Sequence, residues 1–280
     1  MAISLAHLGP PGTYTEAAAL AYAAQFAPIP TEAQLFPYSS IVQTLQAVAN
    51  QEADLAVVPV ENSIQGSVAV TLDTLWVLNN LHIQKALVLP IQHVLISLSE
   101  SLADIKTVYS HPQALGQCQR WLEEYLPHAQ RLAAASTTDA LSSLQSDRTA
   151  AAISSQRAAE LYNLPIIAQN LNDYPDNCTR FWVLGREASQ HGSYVSMAFA
   201  TPANVPGALV NPLQVLAQCN INMSRIESRP TKRLLGEYIF FVDIEGDLRD
   251  RPIQNALDEF TRHTALFKVF GNYDVFVIGH

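Results

Sequence analysis

Residues 3–26 read ISLAHLGPPGTYTEAAALAYAAQF, and this stretch decides the class of the fold. The apolar run Ile3–Leu8 predicts a buried strand, and the Gly-Pro-Pro-Gly tetrapeptide after it predicts a turn. Thr13 and Glu16 have the spacing of a capping box, so an Ala-rich helix is expected to follow and to end near Phe26. A strand that leads through a short turn into a helix is the repeating unit of α/β domains.

The same alternation continues through most of the chain. Asp54–Val58 and Lys106–Tyr109 are further apolar runs that predict buried strands, and helix-forming segments lie between them. The sequence therefore predicts an α/β domain with a largely parallel sheet up to about residue 186. Glu187–Gly192 is short and polar and ends in glycine, which predicts a linker.

Residues 193–280 have a different order of predicted elements. The predicted strands are Tyr194–Ala200, Met223–Glu227, Tyr238–Ile244 and Lys268–Val277. The predicted helices, one after the first strand and one after the third, are Gly207–Cys219 and Ile253–His263. This βαββαβ order is that of the ferredoxin-like arrangement.

The composition limits the class of protein. Hydrophobic residues make up 49% of the chain and charged residues 15%, as in a compact globular protein. The net charge of −9 argues against binding to nucleic acid or to an anionic membrane surface. No apolar run approaches the roughly 20 residues of a membrane span, and no signal-peptide pattern is present, so we expect a cytoplasmic protein. Three distant cysteines and eight histidines without ligand spacing predict no metal site.

The distribution of positive charge is unusual, because residues 1–84 contain no Lys or Arg. If this region binds an anion, it must do so with backbone N–H groups, helix N-termini and hydroxyl groups. A cation would have to come from a later segment. Arg180 is the obvious candidate, because it stands beside an apolar run that predicts a buried strand.

Three polar clusters lie at predicted strand ends or loops, where open α/β sheets bind their ligands. They are Glu61-Asn62-Ser63, Ser110-His111-Pro112-Gln113 with Gln117 about two helical turns later, and Thr179-Arg180. Each also has a purely structural interpretation: a turn with a helix cap, a capping box, and a surface arginine. Ser110, Gln113 and Gln117 would nevertheless form a polar stripe on one helix face, which packing alone does not require.

Several of these segments resemble the motifs of a known family. GPPGTYTE at residues 9–16, PVENS at 59–63, SHPQA at 110–114 and TRF at 179–181 are similar to motifs of prephenate dehydratase, in the expected order. GAL at residues 207–209 and IESRP at 226–230 resemble the ACT regulatory domain of that family. The likeness covers essentially the whole chain and includes no chorismate mutase segment, so it implies the monofunctional enzyme.

The resemblance implies two lobes like those of type II periplasmic binding proteins, with the active site in the cleft. Residues 1–186 would form this catalytic domain, with lobe one at about 1–80 and 163–186 and lobe two at about 81–162. Residues 187–192 would be the linker and 193–280 the ACT domain. The implied catalytic residues are Thr179, Glu61, Asn62 and Gln117. The implied substrate-binding residues are Arg180, which would pair with a carboxylate, and Thr13, Ser63, Ser110 and Phe181.

The implied reaction is the loss of the C4 hydroxyl and of CO2 from prephenate, which gives phenylpyruvate. Aromatisation drives this reaction, so we expect no cofactor, and the critical group is a donor at the leaving hydroxyl. Thr179 is the first candidate for that donor, although a hydroxyl is a poor acid. Glu61 would be a better acid if burial raised the pKa of its carboxyl, and the sequence leaves the choice open.

The resemblance also implies regulation by phenylalanine at the C-terminal domain. The backbone N–H groups of Gly207, Ala208, Leu209 and Val210 would bind its carboxylate, and Glu227 and Ser228 would accept from its ammonium group. ACT domains commonly pair, so we expect a homodimer or a homotetramer. Two alternative functions stay open at this point: an arogenate dehydratase, and a non-catalytic two-lobed sensor of a small acid.

Overall fold

A computed structural model describes residues 3–145, 147–189 and 191–279, apart from the side chain of Pro30. Gln190 of the predicted linker and the terminal His280 lie outside the described residues. Within these ranges the strands β1 to β15 are Ser4–Leu8, Gln34–Tyr38, Leu55–Asn62, Gly66–Ser67, His82–Pro90, His93–Ser97, Thr107–Ser110, Gln130–Ala133, Ala150–Ser155, Ile166–Ala168, Cys178–Gly185, Tyr194–Ala200, Met223–Pro230, Tyr238–Glu245 and Leu266–Val277. The helices α1 to α8 are Tyr14–Phe26, Ile41–Ala49, Ala69–Val77, Pro112–Gln117, Gln119–Tyr125, Gln156–Leu161, Val210–Gln218 and Arg251–Thr261. Short 3₁₀ helices cover Pro30–Glu32, Leu102–Asp104 and Asp139–Gln145.

The strands of the described residues form two mixed sheets. The first has the order β13-β14-β12-β15-β5-β11-β3-β1-β2, with β4 beside β3. The second has the order β10-β6-β9-β7-β8. In the first sheet β1 lies parallel to β2 and β3, whereas β11 lies antiparallel to β3 and β5. The predicted α/β class is confirmed, although the sheets are less parallel than predicted.

The sheets divide the two lobes at other residues than the sequence predicts. Strand β5 (His82–Pro90) was expected in lobe two but lies in the first sheet, between β11 and β15. Strand β10 (Ile166–Ala168) was expected in lobe one but pairs with β6 in the second sheet. The chain therefore crosses between the lobes at residues 91–92 and again at 169–177.

The C-terminal residues have the predicted order, β12-α7-β13-β14-α8-β15. Their sheet is continuous with that of lobe one, because the end of β15 pairs in parallel with β5 at Asp274–Val277. The interface is part of the core: Trp182 of β11 lies in one apolar cluster with Phe241 and Phe270 of the C-terminal unit. Burial of such large aromatic side chains favours association of the two parts.

Local sequence explains how the first helix meets the lobe boundary. The Thr13 hydroxyl accepts from the Glu16 backbone N–H at 3.3 Å, and the Glu16 carboxylate accepts from the Gly12 N–H at 2.6 Å. Gly12 has φ +88°, and a Cβ there would lie 3.2 Å from Ala158 of lobe two, so only glycine fits. No helix within residues 3–145, 147–189 and 191–279 is both long enough and apolar enough to span a bilayer.

Candidate active site

A cavity of about 820 Å³ opens between the two lobes. Its walls come from the turn after β1, the N-terminus of α1, the ends of β2 and β3, one face of helix α4 and the start of β11. Five of the sequence-predicted site residues line it: Thr13, Asn62, Gln117, Thr179 and Phe181. Gln113, which the sequence places on the same helix face as Gln117, lines it as well.

Asn62 and Thr179 face each other across the strand pair β3–β11. Asn62 Nδ2 donates to Thr179 Oγ1 at 2.9 Å. The direction of this hydrogen bond is certain, because Asn62 Oδ1 already accepts from the backbone N–H groups of Ile64 and Gln65. The Thr179 oxygen is thus an acceptor towards Asn62, and its own proton is free to be donated into the cleft.

The same reasoning orients three further side chains in turn. Asn62 Nδ2 also donates to Asn177 Oδ1 at 2.8 Å, so Nδ2 of Asn177 is the atom 3.1 Å from Gln117 Oε1. That oxygen lies 2.9 Å from His93 Nε2, which must therefore carry a proton. Gln117 Nε2 is left without a partner among the described residues, in a side chain that is 4% exposed and lines the cavity. Gln117 consequently presents a donor to the cleft.

The hydrogen-bonded series ends in the first lobe. Nδ1 of His93 lies 3.0 Å from the Tyr14 hydroxyl, and the single proton of that hydroxyl is shared between this nitrogen, which accepts in the present tautomer, and the Gln92 carbonyl at 2.6 Å. Burial lowers the pKa of the His93 imidazole, so the neutral ring with its proton on Nε2 is the form present at pH 7. Burial raises the pKa of the Tyr14 hydroxyl, because it disfavours the charged phenolate, so Tyr14 keeps its proton. We call Tyr14, His93, Gln117, Asn177 and Asn62 the amide chain. It connects the lobes and leads to Thr179.

The buried histidines make the stability of the protein depend on pH. The pKa values of His7 and His93 are lowered by burial below the value of about 6.5 that they have in the unfolded chain. The unfolded state therefore binds protons first as the pH falls. We expect full stability from these groups above pH 6.5 and a loss below it, with a slope of up to about 1.4 kcal/mol per pH unit for each histidine.

Urea unfolding at pH 7.5, 6.5 and 5.5 measures this dependence. The variant His93→Gln removes one of the two groups, so its free energy of unfolding should fall less steeply over this range than that of the unsubstituted protein. A His93→Gln slope equal to that of the unsubstituted protein would contradict the assignment of a neutral, buried His93.

The structure contradicts the predicted positions of Arg180 and Glu61. Both side chains lie on the face of the sheet opposite the cleft, where Arg180 Nη1 is 3.6 Å from Glu61 Oε2. The same nitrogen is 3.6 Å from Oδ2 of Asp243 in the C-terminal unit. Arg180 cannot share the face of Thr179, because successive residues of a strand point to opposite faces. Glu61 is turned away because β3 carries one extra residue, Val60, at this point.

The two predicted serines also lie outside the cavity. The Ser110 hydroxyl is fully buried and donates to the Ile153 carbonyl at 2.6 Å, so it joins two strands of the second sheet. His111 replaces it as the cap of α4, since its Nδ1 accepts from the Gln113 N–H at 3.2 Å. Ser63 is exposed and accepts from the Cys178 N–H at 3.0 Å, which anchors the start of β11.

The lining of the cavity has no strong cation. Among the described residues that line it, none is a Lys or an Arg. Its donors are hydroxyl and amide groups, His111, and the N-terminal turn of α1, whose Thr13, Tyr14 and Thr15 face the cavity. This agrees with the absence of positive side chains from residues 1–84. No group of three or more His, Cys, Asp or Glu side chains that could hold a metal occurs in the described ranges.

A second cavity of about 410 Å³ lies in the C-terminal unit. The predicted effector residues that line it are Gly207, Ala208, Leu209, Val210 and Ser228, together with the aromatic side chains of Tyr238 and Phe240. Glu227 does not line it, in contrast to the prediction. Because Glu227 is adjacent to Ser228 in β13, its side chain points to the other face of the strand.

Comparison with known proteins identifies the family of this chain. A family model described as prephenate dehydratase matches residues 5–189. The curated bifunctional chorismate mutase/prephenate dehydratase of Neisseria gonorrhoeae is 40% identical over 284 residues, which cover 99% of this chain and 75% of that protein. The curated prephenate dehydratase of Lactococcus lactis subsp. cremoris is 34% identical over 286 residues and 99% of each chain. A solved structure of prephenate dehydratase from Arthrobacter aurescens in complex with L-Phe has a TM-score of 0.86 at 33% identity, covering 97% of this chain and 90% of that one. The chain therefore belongs to the prephenate dehydratase family.

Proposed function

We propose that this protein converts prephenate to phenylpyruvate, CO2 and water, a step of phenylalanine biosynthesis. The observation that carries the proposal is the Thr179 hydroxyl, which accepts from Asn62 and keeps its own proton for a ligand in the cleft. We infer the substrate, prephenate, from membership of the family. A sensor would need the cleft but no such oriented donor, so the geometry favours the enzyme over the non-catalytic alternative.

The chemistry requires a donor where negative charge develops. The electron pair of the bond to the ring carboxylate moves into the ring as CO2 leaves, and the ring becomes aromatic. The C4 hydroxyl departs as hydroxide with the electron pair of its bond to the ring, and a proton from the solvent converts it to water. A hydrogen bond from Thr179 stabilises that departing oxygen without requiring full deprotonation of the hydroxyl. Gln117 Nε2, which is buried without a partner among the described residues in a side chain that lines the cavity, is a further donor for the substrate.

This geometry narrows the choice of proton donor. Glu61 lies on the opposite face of the sheet, at ion-pair distance from Arg180, so its carboxyl is turned away from a ligand in the cleft. We therefore assign donation at the C4 oxygen to Thr179 and none to Glu61. The substrate carboxylates would be held by neutral donors and by the N-terminus of α1, since Arg180 also lies outside the cleft. Weak pairing of the ring carboxylate favours its loss as CO2.

Incubation of the purified protein with prephenate tests the function directly. Phenylpyruvate should appear by its absorbance in alkali, with an equal amount of CO2, and arogenate in a parallel reaction should yield phenylalanine at a lower rate. Binding of prephenate without turnover would support the sensor instead. Preference for arogenate would assign the neighbouring activity to the same cleft.

We further propose that residues 193–279 form an ACT-type regulatory domain that binds phenylalanine in the second cavity. The cavity is lined by Gly207–Val210, where the Ala208 N–H already donates to the Val205 carbonyl and the N–H groups of Gly207, Leu209 and Val210 are the candidates to bind a carboxylate, and by aromatic side chains for a phenyl ring. The related A. aurescens structure contains L-Phe, which supports an amino-acid effector. Val210 and Leu235 are exposed apolar side chains of this unit and favour pairing of two copies through it.

The variant Ser228→Ala tests the effector site. It should raise the half-maximal phenylalanine concentration about tenfold, the effect of one lost hydrogen bond to a charged group, and leave kcat without phenylalanine unchanged. Ser224→Ala is the matched control, because Ser224 lies on the same strand but does not line the cavity. A loss of response in Glu227→Gln with a normal response in Ser228→Ala would place the effector elsewhere than in this cavity.

A further inference from the structure

Two arginines and two carboxylates meet behind strands β3 and β11, on the face of the sheet that is turned away from the cleft. Glu61 and Arg180 come from β3 and β11, and Arg225 and Asp243 come from β13 and β14 of the C-terminal unit. We call these four residues the rear cluster. We propose that Asp243 is a positioning residue for the reaction, since it holds Arg180 and thereby fixes the segment of β11 that presents the Thr179 hydroxyl. The proposal rests on the proposed function.

The register of the strands places the rear cluster directly behind the site. Thr179 pairs with Asn62, and the next pair along the same two strands is Arg180 with Glu61. The first pair faces the cleft and the second faces the C-terminal unit. A shift of Arg180 therefore moves the backbone that carries Thr179, because the two residues are consecutive.

Asp243 is the most constrained member of the rear cluster. Its side chain is fully buried, and its Oδ2 accepts from Arg225 Nε at 2.7 Å. Its Oδ1 accepts from Arg225 Nη2 at 3.3 Å and from the Ser196 hydroxyl. The remaining interaction of Oδ2 is with Arg180 Nη1 at 3.6 Å. Asp243 is thus held rigidly by its own domain and offers Arg180 a fixed negative charge.

The pairing of β11 with β3 is irregular close to the site. The extra residue in β3 interrupts it between Arg180 and Phe181, one residue after Thr179, whereas β5 on the other side pairs in unbroken register with Thr179 and Arg180. A bulge re-aims side chains and weakens the local ladder, so side-chain contacts gain importance for the position of the strand. Arg180 Nε is buried without a partner among the described residues, which leaves the Nη1 interactions with Glu61 and Asp243 to hold this side chain.

The charges of the rear cluster explain why Asp243 is the member to test. Two guanidinium groups are balanced by two carboxylates, and Glu61 is partly exposed while Asp243 is not. Loss of the Asp243 charge removes the carboxylate that both Arg180 and the buried Arg225 approach. The two guanidinium groups then repel each other. Arg180 would then move towards Glu61 and solvent, and the Thr179 segment would move with it.

The test is a double-mutant cycle between Asp243→Asn and Thr179→Val. Asp243→Asn alone should lower kcat by about tenfold or more, with KM within about twofold, because misplacement of a catalytic group affects the transition state more than binding. In the Thr179→Val background the same substitution should have almost no effect on the residual kcat, since no hydroxyl remains to be positioned. A merely structural role of Asp243 would lower kcat by the same factor in both backgrounds, and this result would overturn the proposal.

Two further variants keep the experiment decisive. Asp73→Asn removes a different carboxylate of the domain interface, one that pairs with Arg229 at 3.0 Å and does not contact β11, so it should leave kcat unchanged. If Asp243→Asn does not fold, as judged by its thermal transition, Arg180→Gln enters the same cycle from the partly exposed side and should behave in the same way. A raised KM with unchanged kcat in Arg180→Gln would instead assign Arg180 to substrate binding and overturn the proposal. Failure of the proposed function is distinct, because the unsubstituted protein would then not turn over prephenate.

Discussion

Replacement of Thr179 by valine is expected to lower kcat for prephenate on the order of 10²-fold or more, with little change in folding. Valine has nearly the volume of threonine and no hydroxyl. The Asn62 amide that donates to Thr179 keeps the Asn177 oxygen and the Cys178 carbonyl as acceptors, so no buried donor is left unpaired. The cost therefore falls on the transition state, where the donor at the C4 oxygen is missing.

Steady-state kinetics and a thermal unfolding curve for each variant separate the two effects. Thr179→Ser should retain much of the activity because it keeps the donor. Thr44→Val is the matched control, since Thr44 is also buried but does not line the cavity, and its hydroxyl donates to the carbonyl of Ser40, the N-cap of helix α2. A near-normal kcat in Thr179→Val would remove the hydroxyl from the mechanism.

Regular features of the sequence predict most of the fold. Apolar runs, caps and turns predict the α/β class and the βαββαβ order, and α1 ends at Phe26 as expected. They do not predict which sheet takes a strand. The apolar pattern of β5 and β10 is compatible with either lobe, because a strand that is covered on both sides looks alike in both sheets. The lobe boundaries were therefore wrong at these two strands.

The site residues show where a single sequence is insufficient. The alternation rule alone would have excluded one of the neighbours Thr179 and Arg180 from the cleft. Applied to β3, the same rule would have given the wrong result. Glu61 is two residues after the cleft-lining Pro59, so the rule places Glu61 in the cleft and Asn62 on the opposite face. The bulge at Val60 reverses the faces on which Glu61 and Asn62 lie, and no residue of PVENS predicts a bulge.

Long-range partners were the other unpredictable feature. His93 has apolar neighbours in the sequence, a setting typical of a core residue, whereas the structure places its ring at the cleft and in the amide chain. Asn177 stands two residues before the TRF motif, and no pattern in the sequence predicts a role for it. Its partners Asn62 and Gln117 are 115 and 60 residues away, a distance at which no local pattern can indicate a hydrogen bond.

The amide chain can be tested by changing one atom of it. In Asn177→Asp the donor to Gln117 Oε1 becomes a carboxylate oxygen, which repels that oxygen at the observed 3.1 Å. Gln117 relieves the repulsion by turning its amide over, so that Nε2 faces residue 177 and Oε1 faces the cleft. The site then loses a donor, gains an acceptor beside an anionic substrate, and leaves the His93 Nε2–H without its partner. We expect kcat/KM at pH 8 to fall on the order of 10²-fold, as for a lost donor with an added repulsion.

This loss should be reversible with pH, which distinguishes it from a packing defect. Residue 177 is 1% exposed, and burial raises the pKa of a carboxyl group placed there above its usual value of about 4. The protonated acid has the shape of the amide and can donate to Gln117 Oε1 as Asn177 does. The ratio of kcat/KM between the variant and the unsubstituted protein should therefore rise as the pH falls from 8 to 5.5. Asn172→Asp is the matched control, because Asn172 bonds only to the backbone of the crossing segment, at the Ile91 carbonyl and the His93 N–H, and to no side chain of the amide chain. A ratio near one at every pH, or a reduced ratio that does not change with pH, would show that Asn177 does not orient Gln117.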